Sequence, residues 1–246
     1  MGLKITNVLL HPEKRIFREI KKPDQLSALI GTKLMESHHS GKQMIFCFGS
    51  HHWLGVHLGM TGKLHWETPD YQQEKHDHLV IETKKGQMVF TDPRLFGKLK
   101  YHHGESEPEW WKNRAPDVLS DSFTSSYMIK TCKESRRPVK AILLDQSIFP
   151  GVGNWMADEI LWRARLMPNR IYAELAPQER QELYKRARQV CRDAMRVIAP
   201  DWSKPPDNWL FNHRWKDGGT CPKTRKPLTR ETIAGRTTCY SPAWQR

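Results

Sequence analysis

The sequence contains no apolar run approaching the ~18 residues that a bilayer-spanning helix needs, which excludes a helical membrane protein. Cysteine is sparse: five in 246 residues, an odd number, at Cys47, Cys132, Cys191, Cys221 and Cys239, with no CxxC pair. A disulfide-framed secreted domain is therefore not expected, and the thiols point to a reducing compartment. Residues Met1 to Leu10 lack the apolar core of a secretory signal and the Arg/Ser-rich character of a transit peptide. The expected location is cytoplasmic (nucleoid-associated) or nuclear, and not secreted. With 15 glycines, 16 prolines and 10% aromatics, the chain is neither collagen-like, nor low-complexity, nor wholly disordered. It has no internal repeat of solenoid length. Acidic residues are the last shortage: 27 Asp+Glu against 40 Lys+Arg leave a formal net charge of +13. Such a surplus calls for a polyanionic partner, most simply nucleic acid, although a merely soluble basic protein has the same balance.

What is present falls into three textures. Up to about residue 104 the chain reads as short strands: Lys4 to Leu10, Lys33 to His38, Gln43 to Phe48 and Trp53 to Leu58. His78 to Glu82 and Gln87 to Thr91 pair as a hairpin across Lys84-Lys85-Gly86. Short strands separated by turns predict a β-sandwich or barrel. Helix-period segments then take over at Ser122 to Cys132, Pro138 to Asp145, Asn154 to Arg165 and Pro177 to Val197, with prolines where a first helical turn tolerates them. Ala199 to Asp207 reads as a linker. From residue 201 onward nine basic and four acidic residues supply +5 of the +13. The prediction is an α+β protein with a β-sandwich over 1–104, a helical domain over 105–200 and a basic hairpin module over 201–246.

One stretch is far more specific than the rest. Lys140-Ala-Ile-Leu-Leu-Asp-Gln146, Pro150-Gly-Val-Gly-Asn154 and Ala157-Asp-Glu-Ile-Leu161 read as a helix, a tight Gly-rich turn and a second helix starting at Asn154. Gly151 and Gly153 allow close backbone approach to a ligand, and the free N–H groups of a helix start suit a phosphate. Asn154 is placed to cap that helix and to donate to the same phosphate. A Gly-x-Gly turn alone would be read as an ordinary helical hairpin. The complete string resembles the helix–two-turn–helix (H2TH) element of the formamidopyrimidine-DNA glycosylase/endonuclease VIII family, and further motifs follow in the family's order.

His57-Leu-Gly-Met-Thr-Gly62 is similar to the family loop whose methionine enters the duplex where a base has been extruded. Asp92-Pro-Arg-Leu-Phe-Gly97 resembles the loop whose arginine and phenylalanine complete that wedge. The resemblance assigns Met60 and Phe96 the apolar volume that holds the vacancy open, and Arg94 a hydrogen bond to the orphaned base. Taken alone, such a Met or Phe is more often core. Leu95 stands where the family usually has a second arginine. Ser40-Gly-Lys42 matches the family's hairpin lysine near the lesion, so Lys42 is expected to bind a phosphate or serve as an amine or acid, against a plain solvated lysine. Lys140 is expected to contact the DNA backbone, with an ordinary surface lysine as the alternative.

Ala234-Gly-Arg-Thr-Thr-Cys-Tyr-Ser-Pro-Ala-Trp-Gln245 resembles the family's zinc-finger hairpin, in which Arg236 would grip the phosphates flanking the damaged nucleotide. The family's four cysteines are reduced here to Cys221, with Thr224, Ser241 and Trp244 at the other ligand positions. Cys239 is off-register and His213 makes an irregular third ligand, so no metal or other cofactor is expected. The finger is instead expected to be held by Trp209, Phe211, Trp215, Tyr240 and Trp244. A Cys221–Cys239 disulfide is not expected in a reducing cell. Trp202 or Trp209 is a candidate for stacking on a base, although packing is the commoner fate.

The family reaction uses an amino-terminal proline followed by glutamate: the secondary amine attacks the sugar C1′, forms a Schiff base and permits strand cleavage. The sequence begins Met1-Gly-Leu-Lys-Ile-Thr6, like the family sequence just after its first helix. A start preceded in the natural protein by Met-Pro-Glu is favoured over a product without the nucleophile; Gly2, expected at a strand start, is a poor substitute. The resemblance thus implies a monomeric base-excision glycosylase with AP lyase activity, acting on oxidised or ring-opened bases in double-stranded DNA. A damaged-DNA or abasic-site binder without catalysis is the alternative.

Overall fold

The strands that the apolar pattern predicts are present, and two more join them at sheet edges. The computed structural model describes residues 2–11, 15–49, 51–198 and 203–246, and the chain divides into two units, Met1–Arg114 and Ala115–Arg246. In the first, β1 (Ile5–Leu10), β6 (Asp77–Thr83), β7 (Gly86–Thr91) and β5 (Lys63–Glu67) form one antiparallel sheet in that order. β2 (Leu34–Ser40), β3 (Gln43–Phe48), β4 (His52–His57) and β8 (Lys98–His103) form the other. β5 and β8 escape sequence reading because they are edge strands with few apolar residues, Lys-Leu-His-Trp-Glu and Lys-Leu-Lys-Tyr-His-His.

The two sheets share one core, as a sandwich must. Phe46, Phe48, Leu54, Val56 and Leu99 of one sheet meet Ile5, Leu79, Ile81 and Phe90 of the other. β3 is buried on its second face as well, where Ile45 and Cys47 lie under Trp53 and the short helix α1 (Glu109–Lys112), which supplies Trp110 and Trp111. That double burial is why β3 reads as an uninterrupted apolar run.

The second unit is built on α2 (Ser125–Cys132), α3 (Val139–Leu144), α4 (Asn154–Ala164) and α5 (Pro177–Val197). Thr124 caps α2 by accepting the Tyr127 N–H (3.0 Å). Pro177 opens α5, and the Ala176 N–H donates to Glu179 Oε2 (2.8 Å), satisfying one of the orphan groups at that helix start. Phe123, Ile142, Leu143, Phe149, Ile160 and Leu183 are among the residues of its core. A hairpin, β9 (Thr229–Ile233) and β10 (Arg236–Tyr240), completes the unit. No described helix is long and apolar enough to cross a membrane.

Phe90 is fully buried between the sheets. Phe90→Ala is expected to destabilise the first unit by about 3–5 kcal/mol. A urea titration followed by tryptophan fluorescence reads that loss as an earlier midpoint at unchanged slope.

Candidate nucleic-acid interface

In the first unit two loops, 58–62 between β4 and β5 and 92–97 between β7 and β8, run backbone against backbone. Gly59 (φ +68°) passes so close that a Cβ there would come within 2.6 Å of the Gly97 nitrogen and the Phe96 carbonyl carbon. One buried carboxylate fastens both loops. Asp92 Oδ1 accepts from Thr61 Oγ1 (2.7 Å) and the Arg94 N–H (3.3 Å), and Oδ2 accepts from the Gly97 N–H (2.6 Å). The Asp92 carbonyl accepts from Nε2 of the buried His78 (3.0 Å). His57 Nδ1 accepts the Gly59 N–H (3.1 Å), which requires a lone pair on that nitrogen. Burial, then the positive charges of Lys98, Lys42 and Arg18, hold the His57 pKa below its ordinary value, with Glu19 opposing. The imidazole is therefore neutral at pH 7.

Apolar side chains stand out from this rigid base. Met60 is 66% exposed and Phe96 37%, whereas a large hydrophobe normally goes to the core. The Phe96 ring lies 4.9 Å from the Arg94 guanidinium and 5.3 Å from that of Arg15, within cation–π range. Arg18 Nη1 donates to the Gly97 carbonyl (2.8 Å). Leu95 is in the left-handed region (φ +58°) and packs partly buried against the sandwich core, so the position of the family's second arginine faces inward here. Lys42 is exposed at the β2–β3 turn, near enough to His57 to influence its charge. Met60, Arg94, Phe96 and Lys42 thus share one unit. Sequence reading assigned no role to Arg15, Arg18 or Asp92. An aspartate between an apolar strand and Pro93 was the available signal for a loop clasp.

In the second unit the amide of Gln146 braces the turn between α3 and α4. Its Nε2 donates to the Leu144 (3.1 Å) and Val152 (2.9 Å) carbonyls, and its Oε1 accepts the Gly151 N–H (3.1 Å). Gly151 has φ +89°, a conformation that side-chain-bearing residues rarely adopt. Gly153 occupies the cap position of α4 and offers no side-chain cap, so the first N–H groups of that helix have no intrahelical partner. The expectation that Asn154 caps the helix is corrected: it is the first residue inside α4, and its Nδ2 donates to the Thr237 carbonyl (2.8 Å) in β10. That bond brings the turn to the residue next to Arg236. Arg236 is exposed just after a two-residue turn, Ala234-Gly235, with φ +52° and +70°. Gly151, Gly153, Asn154 and Arg236 therefore belong to one assembly.

Lys140 requires a larger correction. It is 0% exposed and cannot lie against a DNA backbone. Its Nζ donates to the Asn154 carbonyl (3.0 Å) and forms an ion pair with Asp158 Oδ1. Asp158 Oδ2 accepts Arg214 Nε (3.0 Å), Arg214 Nη2 (2.6 Å) and the Cys239 N–H (3.0 Å). Burial pushes the Lys140 pKa down, and the Asp158 charge opposes that shift. The sequence hid this role because the partner acid lies on the next helix. An Asp-Glu pair in the apolar stretch Ala157 to Leu161 was the visible hint; Glu159 is likewise buried, bonded to Arg163 Nε (2.8 Å) and to the Phe211 N–H (3.0 Å).

Among the tryptophans proposed for stacking, Trp209 is buried beneath the Arg163 guanidinium (4.6 Å), so it is a packing residue, while Trp202 lies outside the described residues. All five cysteines are buried free thiols. Trp162 Nε1 donates to Cys221 Sγ (3.4 Å), and Trp244 Nε1 donates to the Trp162 carbonyl (3.0 Å). His213 Nε2 bonds the Asp207 carbonyl (2.9 Å). Among the described residues no group of three or more His, Cys, Asp or Glu is placed to hold a metal ion. One thiol with hydroxyl and indole neighbours is not the donor set of a structural zinc site.

Asp158→Ala leaves Lys140 and Arg214 buried without a counter-charge and is expected to cost the second unit about 3–5 kcal/mol in chemical denaturation. A loss below about 0.5 kcal/mol would mean that the clamp is idle. Asp92→Ala is expected to speed amide exchange at Gly97 by at least about tenfold, since a charge-assisted bond to that N–H disappears.

Residues 1–99 match the formamidopyrimidine-DNA glycosylase N-terminal domain and residues 115–201 the formamidopyrimidine-DNA glycosylase H2TH domain. The formamidopyrimidine-DNA glycosylase of Carboxydothermus hydrogenoformans is 30% identical over 240 residues, covering 94% of this chain and 88% of the relative. That of Thermus thermophilus is 34% identical over 227 residues, covering 87% and 83%. Among solved structures, Lactococcus lactis FPG (MutM) in complex with a FAPY-dG-containing DNA is similar at a TM-score of 0.87 and 25% identity, over 100% of this chain and 93% of that one. The Lactococcus lactis Fpg complex with abasic-site DNA gives 0.86 at 26% identity, over the same shares. With 30–34% identity sustained over more than four-fifths of each partner, the chain belongs to the formamidopyrimidine-DNA glycosylase family.

Proposed function

We propose that the protein is a base-excision DNA glycosylase that removes oxidised or ring-opened bases from double-stranded DNA, with β-elimination AP lyase activity. The observation that carries this reading is the pair of loops clasped by Asp92, which hold Met60 and Phe96 out in solvent. Extruding a base costs a few kcal/mol of stacking and pairing, and side chains that fill the gap offset part of that cost. Met60 and Phe96 supply the filling volume, and Arg94, beside Phe96, supplies donors for the unpaired opposite base. The relatives' complexes with FAPY-dG and abasic-site DNA support the same substrate class.

The backbone is gripped from the second unit. The unpartnered N–H groups at the start of α4, with Gly151 and Gly153 leaving room, receive one phosphate, and Arg236 takes the phosphates beside the lesion bidentately. Lys140 supports that turn from beneath. The hairpin does this as a metal-free module, and the protein acts as a monomer. In the lyase step an amine attacks C1′, the base departs, and the resulting iminium acidifies the C2′ proton whose removal breaks the 3′ C–O bond. Lys42, exposed at the β2–β3 turn, is the amine assigned to this step.

Borohydride trapping on an abasic duplex is expected to give a covalent protein–DNA complex; selective binding without trapping would leave a damaged-DNA binder. Trapping lost in Lys42→Ala assigns the amine to Lys42, and trapping retained assigns it elsewhere. Arg236→Ala is expected to weaken abasic-duplex binding roughly 10- to 100-fold, the worth of charge-assisted bonds to phosphate. Equal affinity for intact and damaged duplex would overturn the repair reading, and stoichiometric zinc in purified protein would overturn the metal-free module.

A further inference from the structure

The exposed Phe96 ring has two cations beside it, and they come from segments far apart in the sequence. We propose that Arg15 is a further DNA-binding residue of the first unit, a guanidinium held beside Phe96 to take a backbone phosphate of the duplex that this ring enters. The inference rests on the wedge reading of Met60 and Phe96 and adds to it the group that steadies the wedge against the backbone.

The backbone of Arg15 is fixed to the stretch that carries Phe96. Arg18 Nη1 donates to the Arg15 carbonyl (2.5 Å) and to the Gly97 carbonyl (2.8 Å). The Leu99 N–H donates to the Ile16 carbonyl (3.0 Å), and Ile16 and Phe17 are buried in the sandwich core. The segment is therefore anchored from both its polar and its apolar sides. The Arg15 side chain itself is exposed, with its guanidinium 5.3 Å from the Phe96 ring centroid, while that of Arg94 lies 4.9 Å from the same centroid.

Among the described residues neither guanidinium has an ion-pair partner. Two carboxylates of this stretch are engaged elsewhere: Glu19 pairs with Lys98 and Lys100, and the buried Asp92 fastens the loops. Leu95 packs inward and brings no charge. Two like charges at one ring repel, and an exposed cation–π contact offsets only part of that cost. An anion removes it. The planar guanidinium suits a phosphate, to which it can donate two parallel bonds.

The two cations differ in how they reach the ring. Arg94 belongs to the loop of Phe96 and accompanies it toward the bases, whereas Arg15 comes from outside that loop. A side chain that enters a duplex passes between the phosphate backbones rimming a groove, and a cation at its flank meets one of them. Phosphate contacts position a protein and base contacts specify a sequence, so the tasks of Arg15 and Arg94 are separable.

Binding of the full chain to a duplex holding a tetrahydrofuran abasic analogue, titrated between about 50 and 200 mM NaCl, tests the assignment. Arg15→Ala is expected to weaken binding roughly tenfold and to reduce the slope of log K against log salt by about 0.9, the mark of one lost phosphate contact. The loss should be equal whichever base stands opposite the lesion. Arg15→Lys restores the charge and is expected to keep the slope. The side chain is exposed, so neither variant is expected to move the urea midpoint. The proposal is overturned by an unchanged slope in Arg15→Ala, by an equal loss of slope in Arg15→Lys, or by a loss confined to one opposite base, which would make Arg15 a base reader. The preference of the unaltered protein for abasic over intact duplex, measured in the same titrations, checks the repair reading separately. Absence of that preference, with the Arg15→Ala slope change present, overturns the repair reading and leaves the phosphate contact standing.

Discussion

The second unit depends on the carboxylate of Asp158. It lies between two buried cations, Lys140 from α3 and Arg214 from the segment before the hairpin, and takes the Cys239 N–H of β10 as well. Four segments far apart in sequence are thereby fixed to one another. Lys140 also donates to the Asn154 carbonyl, tying the start of α4 to the same cluster. Buried charges of this kind are costly unless each is paired, so loss of the carboxylate would leave both cations stranded.

The first unit solves its own problem in the same way. Asp92 ties 58–62 to 92–97 through charge-assisted bonds to a hydroxyl and two backbone N–H groups. In both units the buried aspartate fixes the scaffold while the exposed Met60, Phe96 and Arg236 contribute little to it. This division has a physical basis. A side chain that must enter a duplex cannot also be packed into its own protein, so the loops bearing it need support from a residue that the ligand never touches.

How far the sequence reveals this arrangement depends on the range of the interaction. β3 and β7 are legible because burial writes itself into consecutive apolar residues, and Pro177 marks its helix because its effect is local. β5 and β8 are not, since Lys-Leu-His-Trp-Glu and Lys-Leu-Lys-Tyr-His-His carry too few apolar residues to mark a strand. Met60, Arg94, Phe96 and Arg236 are assigned through ordered motifs, and all four are exposed. Lys140 was not: motif position transferred, but exposure did not, because its partner Asp158 is brought to it only when α3 and α4 fold together. The Asn154 amide failed for the same reason, its acceptor lying 83 residues away in Thr237.

The fastening chemistry also sharpens the charge that first suggested a polyanionic partner. Among the described residues the buried charged groups are four acids, Asp77, Asp92, Asp158 and Glu159, against two bases, Lys140 and Arg214. Removing them from the net of +13 leaves the rest of the chain at +15. The acids have been drawn inward to hold loops and helices, and the surface they leave is more basic than composition alone implies. Buried pairs are screened little by salt, whereas exposed cations lose their reach beyond about 10 Å at 0.1 M. Ionic strength therefore acts on the encounter with DNA and leaves the clasped scaffold nearly untouched, which separates the electrostatics of binding from the electrostatics of folding within one chain.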